Sequence, residues 1–142
     1  MDISLDIEIS PTDVFRVYQN SVVEDTELPL FIFHHGAGYT SNTFTELIKD
    51  LCAKVKCRTL AFDARGHGYS HSDNEVLELE CLSKDVVAIV EKLFPVLPKE
   101  IVLVGHSMGG SVMVNIAKHK MIKNGNPMHL ICSARRMCFR CG

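Results

Sequence analysis

A mostly parallel α/β sheet flanked by helices is the fold class predicted for this chain, on three observations. Leu30-Phe31-Ile32-Phe33 and Ile101-Val102-Leu103-Val104 are unbroken apolar runs, as strands buried on both faces require. Segments with helical apolar spacing alternate with the strand-like ones after an opening hairpin. A serine-bearing glycine turn, Gly105-His106-Ser107-Met108-Gly109-Gly110, directly follows the last of those runs. At 142 residues the chain is one domain at most, long enough for a substantial core.

Each element has its own signal. Ile3, Leu5, Ile7 and Ile9 alternate with polar residues, Pro11-Thr12-Asp13 makes a turn, and Val14–Tyr18 alternates again, predicting a β-hairpin. An acidic loop over Glu24–Glu27 precedes the strand Leu30–Phe33. Asn42 or Ser41 can cap a helix from about Thr43 to Val55, with Phe44, Leu47, Ile48 and Leu51 on one side. Arg58–Phe62 is the next strand and Gly66–Glu75 a polar loop. A helix from about Leu79 to Phe94 carries the stripe Leu82, Val86, Ile89, Val90 and Leu93, and Pro95 and Pro98 stop it. After the strand Ile101–Val104 a helix is expected over Met108–Lys120. Gly125-Asn126-Pro127 then turns into a further strand, His129–Cys132.

Composition excludes several function classes. The net charge of −2 gives no reason to expect nucleic acid or an anionic membrane as partner. No apolar run approaches the roughly 20 residues of a membrane span, and the acidic, alternating start is unlike a signal peptide. Six cysteines without a secretory signal read as reduced thiols of a cytoplasmic or nuclear protein.

The chemistry concentrates at Ser107. G-x-S-x-G between a buried strand and a helix is the nucleophile elbow of α/β-hydrolases, with Gly105 and Gly109 where side chains would clash. Ser107 is then the nucleophile, at the tip of a strained turn before a helix N-terminus. His34-His35-Gly36-Ala37-Gly38 follows the strand Leu30–Phe33. In this arrangement the amides of Ala37 and Met108 form the oxyanion hole, and Gly36 and Gly38 let the loop approach the substrate.

In that fold the triad runs serine, acid, histidine along the chain. His119 and His129 follow Ser107, but residues 108–142 contain no Asp or Glu. Those residues hold six Lys/Arg, against nine basic and 17 acidic residues in 1–107. Asp63 and His67 of Asp63-Ala64-Arg65-Gly66-His67-Gly68 precede the serine, so Asp63 and Arg65 are expected to tie loop backbone or each other. His129, Cys132, Cys138 and Cys141 have the residue types of a zinc site, yet Arg135, Arg136 and Arg140 among them oppose a cation. No metal and no organic cofactor is expected.

Together HHGAG, FDARGHGYS, KDVVAIVEKLFP and VGHSMGGSV, in this order, resemble the protein phosphatase methylesterases, over roughly Phe15 to Lys120. The resemblance implies an α/β-hydrolase serine esterase. Its substrate and partner would be the protein phosphatase 2A catalytic subunit, whose C-terminal leucine methyl ester such enzymes remove. It also implies Ser107 as nucleophile and Gly36-Ala37-Gly38 lining the oxyanion site. The family's acid lies just after the strand that follows the elbow helix, where this chain has Ser133-Ala134-Arg135-Arg136, and its histidine lies much further on.

Residues 1–132 are therefore expected to be the N-terminal part of a hydrolase domain, truncated after the elbow helix, with 133–142 an atypical basic cysteine-containing tail. Such a chain is expected to be poorly active, its strand Ile101–Val104 at or near an uncovered sheet edge. The alternatives are a non-catalytic phosphatase-binding fragment and a general lipase or esterase of small esters.

Overall fold

The structure is a computed structural model that describes residues 3–123 and 127–133. It contains β1 (Ile3–Ser10), β2 (Asp13–Gln19), β3 (Leu30–His34), α1 (Thr45–Lys54), β4 (Arg58–Phe62), β5 (His71–Ser72), α2 (Leu79–Leu93), β6 (Ile101–His106), α3 (Met108–Lys118) and β7 (Met128–Ser133). The sheet runs β1-β2-β4-β3-β6-β7, with β5 paired to β2. β1 and β2 form the antiparallel hairpin, β2 meets β4 antiparallel, and β4, β3, β6 and β7 are mutually parallel.

The central strands separate two cores by simple alternation. Leu30, Ile32, Leu60, Phe62, Ile101 and Leu103 face α2 and α3, where Leu82, Val86, Ile89, Val112 and Ile116 close the larger core. Phe33, Ala61, Val102 and Val104 face the other way, against Phe44 and Ile48 below α1. β4 and β6 are covered on both sides and are buried along their whole length, Arg58, Thr59 and His106 included. β7 pairs along β6 from Ile101↔Met128 to His106↔Ser133, yet is largely exposed.

Chain order makes β3 a switch point. The crossover through α1 carries the chain from β3 to β4 on one side, and the crossover through α2 returns it to β6 on the other. Ligands of open α/β sheets bind outside the carboxyl ends of strands at such a point. Here those ends carry the loop after His34 and the turn at Ser107.

Several boundaries differ from the expectations, each for a physical reason. Neither Asn42 nor Ser41 caps the first helix. Thr40 caps a 3-10 turn over Ser41–Phe44 by accepting the Asn42 amide, and α1 starts at Thr45. Ser41 is diverted because its hydroxyl and amide both bind Asp63. The polar loop contains the short strand β5, which no periodicity announced. β6 runs two residues further, through His106, because β3 and β7 continue to pair with it. α3 stops at Lys118, and Lys120 adopts a φ of 48°. Gly125-Asn126 of the expected turn and residues 134–142 of the expected tail lie outside the described residues.

Candidate active site

Ser107 stands between the last residue of β6 and the first of α3, exposed, at φ 53° and ψ −117°. A non-glycine residue there carries about 1–3 kcal/mol of strain, which the surroundings must hold. They do so from both chain directions. The Ser107 amide donates to the Ser133 carbonyl at 2.8 Å, and its own carbonyl accepts the Ser111 amide at 3.2 Å. Its hydroxyl makes no capping bond to the helix.

Two glycines make the turn sterically feasible. A Cβ on Gly105 would lie 2.5 Å from the Gly109 carbonyl oxygen and 2.6 Å from the Gly110 Cα. A Cβ on Gly109 would strike the backbone carbonyl oxygens of His34 and His35, so β3 and α3 approach each other only because it is absent. Met108, half-buried, opens α3 and packs against the larger core. Its amide is among the first donors of the helix, which lack intrahelical acceptors.

The loop after β3 reaches the same end of the sheet, since His34 pairs with Gly105. Gly36 is buried, and a Cβ on it would meet the His106 ring at 2.9 Å. From there Gly36–Tyr39 forms a β-turn, closed by the Tyr39 amide on the Gly36 carbonyl at 3.1 Å. Gly38 holds the positive φ, 78°, that the third position of a type II turn needs. Ala37 and Gly38 are exposed, and Tyr39 stands edge-on to His106 with ring centroids 5.7 Å apart.

Behind the loop lie neutral histidines. Carbonyl oxygens can only accept, so His34 Nδ1 donates to the His35 carbonyl at 2.9 Å and His35 Nδ1 to the Gly36 carbonyl at 2.8 Å. Burial drives the His34 imidazole down to about 3, and burial likewise lowers His35. His35 Nε2 is thereby left as an acceptor and takes the Ala64 amide at 2.9 Å.

Asp63, Arg65 and His67 carry the loop after β4, and among the described residues none of them is hydrogen-bonded to Ser107. The Asp63 carboxylate is buried and accepts the Ser41 amide (2.9 Å), the Ser41 hydroxyl (2.7 Å) and the Tyr69 amide (3.0 Å). Arg65 grips Asp85 with two bonds of 3.0 and 2.8 Å and reaches Asp13 (3.2 Å), Ser72 (2.7 Å) and the Asn74 carbonyl (2.5 Å). Asp63 and Arg65 thus tie loop backbone and neighbouring elements, not each other. Hydrogen bonding to Asp85 holds the guanidinium firmly charged, while burial pushes the Asp85 carboxyl up. Sequence reading missed Asp85, Asp13 and Ser72. One signal was available for Asp85, a carboxylate beside Val86 and three residues after Leu82, on the apolar stripe of α2.

The two histidines after Ser107 are elsewhere. His119 caps the far end of α3, and His129 lies in β7 opposite Val102. Among the described residues, no histidine or carboxylate is hydrogen-bonded to the Ser107 hydroxyl. Nor do the described residues form a cluster able to hold a metal. Of the possible zinc residues, Cys138 and Cys141 lie outside the described residues. Cys52, Cys57, Cys81 and Cys132 are free thiols, and burial pushes the Cys57 thiol up to about 11. No described helix is long and apolar enough to cross a membrane.

Comparison with known proteins gives a consistent family. The model of the alpha/beta hydrolase family matches residues 31–137. Protein phosphatase methylesterase 1 of Bos taurus is 36% identical over 111 residues, which is 78% of this chain and 28% of that protein. The Homo sapiens protein of the same name is 35% identical over the same shares. This chain therefore spans under a third of the length of the curated relatives it matches. Among solved structures, alpha/beta hydrolase domain-containing protein 10 from mouse superposes with a TM-score of 0.69 over 92% of this chain and 48% of that one. At 20% identity that likeness speaks for the fold alone.

Proposed function

This chain belongs to the alpha/beta hydrolase family, and from that membership and the turn at Ser107 we propose that it carries the nucleophile of a serine carboxylesterase of the protein phosphatase methylesterase kind. The observation that carries the reading is the strained φ of Ser107, tolerated between two glycines that admit no side chain. Ser107 Oγ attacks the ester carbonyl as its proton passes to a base. The oxygen takes up negative charge facing the amides of Ala37 and Met108. The carbonyl then reforms as the C–O bond breaks, and the methoxy oxygen takes the proton back from the base and leaves as methanol. Water then releases the acid from the acyl-serine. Gly36 and Gly38 give the loop its close approach. The ester proposed is the C-terminal methyl ester of the protein phosphatase 2A catalytic subunit, which would also be the partner. The setting proposed with it is cytoplasmic or nuclear.

A serine hydroxyl needs a base, and the described residues place none against Ser107. Turnover by these residues alone is therefore expected to be low. The same fact favours one second reading, a phosphatase-binding protein without turnover.

Imidazole supplied in solution tests the assignment. With a leucine methyl-ester peptide as substrate, imidazole should raise methanol release by about tenfold or more over Ser107→Ala, part of the 10²–10⁴-fold that a positioned base gives. Equal rates would remove Ser107 as nucleophile. Tight peptide binding without any Ser107-dependent release would favour the binding reading. Faster cleavage of short acyl esters than of the peptide would make the protein a general esterase.

A further inference from the structure

We propose that His67 is the positioning residue of the oxyanion loop: its Nε2 takes the Gly38 amide and so fixes the turn that offers the Ala37 amide to the ester. This role rests on the esterase reading above. The Gly38 amide donates to His67 Nε2 at 3.0 Å, across 29 residues of sequence. His67 Nδ1 faces the Arg65 carbonyl at 2.8 Å and must donate to it, which leaves Nε2 as an acceptor. The ring is thus held as the one tautomer that can receive Gly38.

The support behind the ring is rigid. Arg65 is pinned through its side chain to Asp85, Ser72 and the Asn74 carbonyl. The adjoining Ala64 amide is held by His35 Nε2 at 2.9 Å, with the two rings 5.1 Å apart. The two loops therefore exchange clips. His35 of the first receives an amide of the second, and His67 of the second receives an amide of the first.

The consequence is a choice between neighbouring donors. Ala37 and Gly38 are the two exposed central residues of one turn, and either amide could rotate toward an ester oxygen. With Gly38 occupied by His67, the turn cannot swing without breaking a bond, and Ala37 is the donor left for the reaction. Preorganised donors are effective because they need no reorganisation when charge develops.

The test compares wild type, His67→Ala, His67→Gln and Ser107→Ala, using imidazole-supported cleavage of the leucine methyl-ester peptide and hydrogen exchange of the Gly38 amide. Glutamine keeps an acceptor at about the reach of Nε2; alanine does not. In His67→Ala, Gly38 exchange should rise about tenfold. The Ser107-dependent kcat should fall about 10- to 100-fold, below the loss of a whole oxyanion donor, with KM within about twofold because the contact acts on the transition state. His67→Gln should restore both readouts to within about threefold of wild type. Unchanged kcat and exchange in His67→Ala, or a loss that glutamine does not restore, would overturn the positioning role while leaving the esterase reading intact. Wild type cleaving no faster than Ser107→Ala would overturn the esterase reading, and the positioning role with it.

Discussion

Two loops meet at the carboxyl end of the sheet and are built on opposite principles. The turn at Ser107 is made of backbone: two glycines, a positive φ and ladder bonds to β7 and α3. The loop after β4 is made of side chains: a guanidinium on two carboxylates, a carboxylate on two amides and a hydroxyl, and histidines held as fixed tautomers. The first holds one serine at a positive φ between glycines whose neighbours leave no room for a side chain. The second fixes the surrounding loops by satisfying buried polar groups. Strain at one point and redundancy around it go together, since a strained residue persists only where its neighbours over-determine it.

Breaking the side-chain loop should have the largest effect. Arg65 and Asp85 side chains are only 8% and 10% exposed. Arg65→Ala leaves that carboxylate buried without its partner, and unfolding free energy in urea should drop by about 3–5 kcal/mol. A loss under about 1 kcal/mol would mean that water replaces the guanidinium and that the loop is not anchored as described.

The backbone loop should break next. Gly109→Ala drives a methyl group into the carbonyls of His34 and His35, where the obstacle is main chain and cannot rotate away. About 3 kcal/mol of stability should be lost, the upper part of the usual range for overpacking. Gly110→Ala is the control. Its Cβ would meet nothing nearer than 3.6 Å, and helix propensity favours alanine there. Equal effects at the two glycines would contradict the close approach of α3 to β3.

Acid should act more gradually, and on His34 and His35 at the end of β3, which lie against both. His34 binds its proton at about 3 in the folded chain against an ordinary 6.5. The unfolded chain is therefore protonated first as pH falls, and the stabilisation present above about 6.5 is lost progressively toward 3. Between pH 6.5 and 4.5 the unfolding free energy should decline by about 1 kcal/mol or more per unit, with His35 adding in the same direction. His34→Gln should flatten that slope. A slope unchanged by the substitution would show that the neutral ring contributes nothing.

The same contrast decides what could be read from the sequence. The strand-turn-helix around Ser107 was legible because its rule is local: apolar strand, G-x-S-x-G, helix, all within contiguous residues. The strands β3 and β6 were legible because burial on both faces leaves continuous apolar runs. The Arg65–Asp85 pair was not, because its partners lie 20 residues apart and meet only once α2 packs. Ser41 does not cap as expected because a tertiary contact to Asp63 takes it out of use, and Thr40 caps the 3-10 turn instead. The clip of His67 on Gly38 joins positions 29 residues apart, and no periodicity records it.

Covalent capture of Ser107 tests the central claim most directly. The chain would be treated with a fluorophosphonate in the presence of imidazole, digested and mapped by mass spectrometry. A single adduct on Ser107, absent from Ser107→Ala, is the predicted result. Labelling spread over Ser111 and other hydroxyls, or undiminished in Ser107→Ala, would contradict the assignment of the turn as a nucleophile site.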